Sequence, residues 1–187
     1  MRTWVTVAIA GGLLLAAGTD AGAGVLVLGQ SLAAACSKAA VGGAQDSRAL
    51  ALCSRSLAEE ALPRRDLAAT HVNRGVIHFR RRDDAAALTD FEKALAIDPS
   101  LGEALVNRGS VRVRQGRLEE ALVDLDRGLA LGVKQPERAY FIRAVAREAL
   151  DDTTGAYLDF RKAAELNPKW GPPREELARF TVAAQPR

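Results

Sequence analysis

The sequence predicts an all-α solenoid of antiparallel helix pairs. Three observations lead there. A motif recurs with a period of 34 residues, apolar positions inside each unit follow helical spacing, and the chain is rich in Ala and Leu with only 5% aromatic residues. Side chains of that size pack helices closely and supply little of the aromatic and β-branched surface that a sandwich needs. With 187 residues the chain is long enough for one domain with its own core.

The period can be read directly. Asn73-Arg74-Gly75 returns as Asn107-Arg108-Gly109, and the same offset of 34 carries Ala87 to Ala121, Asp90 to Asp124 and Leu95 to Leu129. A further step of 35 carries Arg108 to Arg143, Ala121 to Ala156 and Asp124 to Asp159, with the extra residue in the turn Gly132-Val133-Lys134-Gln135-Pro136. Repetition at this length marks stacked supersecondary units. Apolar spacing with start and stop signals places helix pairs near 66–81 and 84–97, 101–115 and 118–131, and 136–150 and 153–166. Asp83-Asp84, Gly116 and Asp151-Asp152 mark the turn inside each pair. Asp98-Pro99-Ser100 is expected to end one helix and cap the next, and Asn167-Pro168 to do the same later.

These units resemble tetratricopeptide repeats (TPRs). The family's small residue in the first helix matches Gly75, Gly109 and Ala144, and the one early in the second helix matches Ala87, Ala121 and Ala156. Its large apolar residue four places on matches Phe91, Leu125 and Phe160, and its next small residue matches Ala94, Gly128 and Ala163. Its closing proline matches Pro99 and Pro168, while the middle unit has Val133 and departs from the pattern. Gly or Ala at a helix crossing permits close approach, and Phe or Leu fills the space beside it. The resemblance covers residues 66–168 and implies a TPR solenoid, with three repeats in 66–169. A degenerate repeat occupies 24–65: Cys53 and Leu57 lie one period before Ala87 and Phe91, which gives a short first helix over 30–41 and a second over 47–61. Residues 170–187 read as a capping helix and tail, opened by Gly171-Pro172-Pro173, with Leu177, Phe180 and Thr181 covering the third repeat.

Residues 1–23 read as a secretory signal peptide, with a positive Met1-Arg2 end, an apolar run from Trp4 to Ala17, and the small-x-small site Ala21-Gly22-Ala23. The run is short for a membrane span and is broken by Gly11, Gly12, Gly18 and Asp20. An uncleaved anchor, or lipidation at Cys36, are the alternatives. An exported chain with two cysteines, Cys36 and Cys53, is expected to pair them, which is worth roughly 3 kcal/mol in the chain-entropy model. Two buried thiols that never meet are the alternative. The pair would staple the degenerate repeat, at the solenoid end that lacks a neighbour. The whole arrangement is similar to short exported TPR proteins of Gram-negative bacteria, which makes the periplasm the expected compartment.

Function is expected in binding. The formal net charge is +3, with both signs interleaved, and no nucleic-acid motif or basic–aromatic run appears. Membrane contact is expected only through an uncleaved N-terminal segment. No nucleophile–base arrangement, glycine-rich phosphate loop or metal cluster is present, so no catalytic residue, metal or cofactor is expected. The TPR resemblance puts Asn73 and Asn107 on the concave face, where an amide can both donate to and accept from an extended peptide backbone; bonding to a neighbouring helix, or simple hydration, is the structural alternative. Ile142 holds that place in the third repeat.

The same register adds Val72, Val76, Phe79 and Arg80, then Glu103, Val106, Ser110, Val113 and Arg114, then Arg138, Phe141, Val145 and Glu148 to the groove. Its best residues are Asn73, Val76, Arg80, Asn107, Ser110, Arg114, Phe141 and Val145, which together suit a protein or extended peptide with some apolar and acidic side chains. The carboxylate clamp of chaperone-binding TPRs is not reproduced, so recognition of a C-terminal carboxylate is not expected. Arg74, Arg108 and Arg143 each precede Asp90, Asp124 and Asp159 by 16 residues. That constant separation reads as architectural ion pairs across each helix pair, with a row of cations for an acidic partner as the alternative. His71 and His78, seven apart on one helix, read as packing residues, and Arg80-Arg81-Arg82 as a basic helix end. The rival to groove binding is a structural or assembly subunit that makes contact through its outer helices.

Overall fold

The computed structural model describes residues 31–180. The expected signal peptide, residues 24–30 of the degenerate repeat and Thr181 lie outside that range. The described residues form α1 (Leu32–Val41), α2 (Ser47–Glu59), α3 (Arg64–Arg80), α4 (Asp84–Ile97), α5 (Gly102–Arg114), α6 (Leu118–Leu131), α7 (Pro136–Ala149), α8 (Thr153–Leu166) and a short α9 (Pro172–Leu177). Consecutive helices pair as α1–α2, α3–α4, α5–α6 and α7–α8, and each second helix also packs on the first helix of the next pair. The all-α solenoid follows, because no pair could bury its apolar face alone.

The turns obey the repeat. Arg82, Gly116 and Asp151 hold equivalent places and all have positive φ, at 66°, 75° and 63°; only the glycine adopts that conformation at no steric cost. Asp83 and Asp152 then cap α4 and α8 by accepting from the Ala86 and Gly155 amides, at 3.2 and 2.9 Å. Ser100 does not cap α5. Its amide and hydroxyl both donate to Asp98, at 2.9 and 2.6 Å, and α5 starts beside Leu101 with no side-chain cap. An aspartate two residues upstream closes this local turn and takes the hydroxyl away.

The core is a stack of crossings. Phe91, Leu125 and Phe160 are wholly buried. A β-carbon on Gly75 would lie 2.6 Å from the Phe91 ring, and one on Gly109 would lie 3.0 Å from Leu125. At the N-terminal end Cys36 and Cys53 form a disulfide, and both are fully buried beside Ala40, Ala49 and Ile77. The start of α1 is capped from a distance: Glu60 accepts from the Leu32 and Ala33 amides at 2.7 and 2.9 Å, and from the Ser56 hydroxyl at 2.6 Å. At the other end α9 is only six residues long, and Leu177 and Phe180 cover Ala144, Ala156 and Phe160.

Candidate functional site

Each of the three main pairs holds a buried carboxylate. Arg74 Nε and Nη2 donate to Asp90 at 2.8 Å each. Arg108 does the same to Asp124 at 2.8 and 2.7 Å, and Arg143 to Asp159 at 2.7 Å twice. Asp90, Asp124 and Asp159 are at most 3% exposed. These are bidentate fork-to-carboxylate bonds across the helix pair, so the three guanidinium groups are committed inside the fold. Arg112 and Arg147 add one more donor each, at 2.6 and 2.8 Å. In the first repeat that third bond comes from His71 Nδ1, 3.0 Å from Asp90 Oδ1. His71 is therefore a polar partner as well as a packing residue. Burial pushes the Asp90 carboxyl up, but the Arg74 and His71 hydrogen bonds and charges outweigh it and hold the group below its ordinary value.

The first helices α3, α5 and α7 present a common face. Asn73 and Asn107 occupy equivalent places on it and are partly exposed. Their side-chain amides have no intramolecular hydrogen-bond partner among the described residues. Val76, Ser110 and Val145 form the next register, where the Ser110 hydroxyl donates to the Val106 carbonyl at 2.8 Å. Between these helices lies a hollow of about 320 Å³, lined by Phe79, Val113, Phe141, Ile142 and Val145 together with Ser110 and Arg114. Val72 and Val106, expected on this face, are instead buried in the core between helix pairs.

Two arginines expected in the groove already have partners. Arg114 is paired with Asp84, donates to the Phe79 carbonyl at 3.0 Å, and lies 3.7 Å over the Phe79 ring. It forms part of the wall that joins the first two repeats. Arg80 donates to the Ala40 carbonyl and so ties α3 to the end of α1. Burial, and then the charge of Arg138, push the Arg80 guanidinium below its usual value, so these two cations from the first and third repeats feel one another. Neither has a carboxylate partner among the described residues. Trp170, which sequence reasoning passed over, packs on Phe141 with ring centroids 5.1 Å apart. It lies after α8 and outside the repeat register, so periodicity carried no signal for it. Among the described residues no His, Cys, Asp and Glu group could hold a metal ion, and no helix is long and apolar enough to cross a membrane.

Stacked helix hairpins with an open face of first helices define a class, the α-solenoids that serve protein interaction. Residues 68–101 match the family model for the tetratricopeptide repeat. That stretch is a tetratricopeptide repeat, and the described residues have the fold of a tetratricopeptide-repeat solenoid. Among solved structures, it is similar to the first TPR of Spaghetti (RPAP3) bound to the HSP90 peptide SRMEEVD, with 26% identity over 60% of this chain and 90% of that one, at a TM-score of 0.56. MamA from Desulfovibrio magneticus RS-1 is 19% identical over 80% and 83% of the two chains, with a TM-score of 0.63. The type IV pilus biogenesis factor PilW is 13% identical over 79% and 66%, with a TM-score of 0.62. The last two share the fold. A comparison with curated protein sequences finds no match.

Proposed function

We propose that the protein is a non-catalytic adaptor of the bacterial envelope, exported to the periplasm, that holds an extended segment of another protein against the face of α3, α5 and α7. The carrying observation is the apolar hollow of about 320 Å³ built jointly by three successive first helices. Asn73 and Asn107, in one register and with no side-chain partner among the described residues, are suited to pair with a peptide backbone. The similar RPAP3 domain, solved with a peptide bound, supports a peptide as the kind of partner. Export is supported by the leader-like residues 1–23 and by the paired, buried cysteines.

A second reading has its own observation. Val123 and Leu158 are one repeat apart on α6 and α8 and are 66% and 45% exposed, and Leu131 and Leu166 repeat the relation at 45% and 42%. Two apolar rows in register on the second helices suit a structural or assembly subunit that makes contact through its outer face. Photo-crosslinking residues placed at Ser110 or Val145, against Val123 or Leu158, separate the two in living cells. Adducts from Ser110 and Val145 alone are expected. Adducts confined to Val123 and Leu158 would overturn the groove reading.

A further inference from the structure

Resting on that groove reading, we infer that the segment bound is an internal stretch of a partner protein with a bulky apolar side chain seated between α3, α5 and α7 and an acidic side chain beside it, held between Arg80 and Arg138. The hollow's walls are Phe79, Val113, Phe141, Ile142 and Val145, so an apolar side chain is the group that gains by entering. Both cations neighbour wall residues along their own helices. Arg80 follows Phe79 in the last turn of α3. Arg138 sits in α7 three and four residues before Phe141 and Ile142, hence one turn along the same helical face.

Charge complementarity selects an acid over a base. Arg138 is exposed, and neither it nor Arg80 makes an ion pair among the described residues. Their mutual repulsion already disfavours the charge on Arg80, and a carboxylate placed between them relieves it. Arg114 is not the anion's partner, because Asp84 and the Phe79 carbonyl already occupy its donors. Since neither cation needs a chain end, a side-chain carboxylate inside a continuous segment suffices.

The test titrates the full chain with four synthetic peptides, each acetylated and amidated so that no terminal charge remains. One has a Leu-Phe centre flanked by Glu and Asp. The second has the same centre flanked by Gln and Asn, the third the same centre flanked by Lys and Arg, and the fourth is acidic with a Ser-Ser centre. The first is expected to bind tightest, with affinity falling about tenfold in Arg138→Glu and weakening as salt rises. Filling the hollow by Ser110→Phe is expected to abolish binding while a thermal melt shows the fold intact. Equal binding of the neutral or basic peptide, an unchanged affinity in Arg138→Glu, or no binding of the first peptide overturns the inference. If the neutral peptide binds as well as the acidic one and Ser110→Phe still abolishes binding, the groove reading survives and only its acidic specificity is lost. If Ser110→Phe changes nothing, the groove reading falls as well.

Discussion

Arg112 donates to Asp124 Oδ2 at 2.6 Å, a third guanidinium bond on a carboxylate that Arg108 already holds with two. Arg147 repeats the relation on Asp159, while in the first repeat His71 takes that role on Asp90. A charge swap of Arg108 and Asp124 would therefore place the new guanidinium beside Arg112, and would recover little stability even though the native pair is formed. Arg74 and Asp90 are the pair on which a double-mutant cycle is interpretable.

Removing the carboxylate should cost unequally across the repeats. Asp124→Asn and Asp159→Asn each leave two half-buried arginines around a neutral amide and are expected to cost roughly 3–5 kcal/mol. Asp90→Asn leaves one arginine and a histidine able to be neutral, and is expected to cost about 1–3 kcal/mol. Urea denaturation of the three variants in parallel measures this, and equal losses would show that the second arginine contributes nothing.

Acid should weaken the first repeat. The folded Asp90 carboxyl lies below its ordinary value, so its contribution is fully present above the unfolded pKa of about 3.9 and is lost as pH falls through the lower, folded value. Stability is expected to hold from neutral pH down to about 5 and to decline below about 4, with a shallower decline in Asp90→Asn. Denaturation midpoints measured across that range decide it, and an unchanged acid limb in the variant would count against Asp90.

Gly128→Ala tests the crossing of α5 and α6. A β-carbon there would sit 2.7 Å from Val106 Cγ2 and 3.1 Å from the Gly102 carbonyl oxygen. The first and third repeats have Ala94 and Ala163 at this place without such an obstacle. Alanine would gain about 1 kcal/mol of helix propensity, yet overpacking against backbone is expected to win, for a net loss of about 1–2 kcal/mol. A rise in melting temperature would contradict the crossing geometry.

Reduction should loosen one end only. With Cys36–Cys53 opened, or both changed to Ala, a loss of roughly 2–4 kcal/mol is expected in the α1–α2 unit. Hydrogen exchange should quicken in 32–59, while α5 to α8 keep their protection. Uniform acceleration along the chain would mean that the disulfide governs the whole solenoid.

The sequence by itself determined the repeat, the helix pairs and the constant separation of 16 between arginine and aspartate. Helical periodicity is local, and a residue's place within a 34-residue unit states which face it shares and which helix it meets. Tertiary structure decided where the long polar side chains go. Arg114 reaches Asp84 across 30 residues, Arg80 reaches Ala40 across 40, and Glu60 caps Leu32 across 28. An arginine has several rotatable bonds and several carbonyls or carboxylates within reach, and only the packing of neighbouring helices selects among them. That is why the backbone plan was legible in the sequence, while the commitment of Arg114 to Asp84 and of Arg80 to Ala40 required the assembled helices.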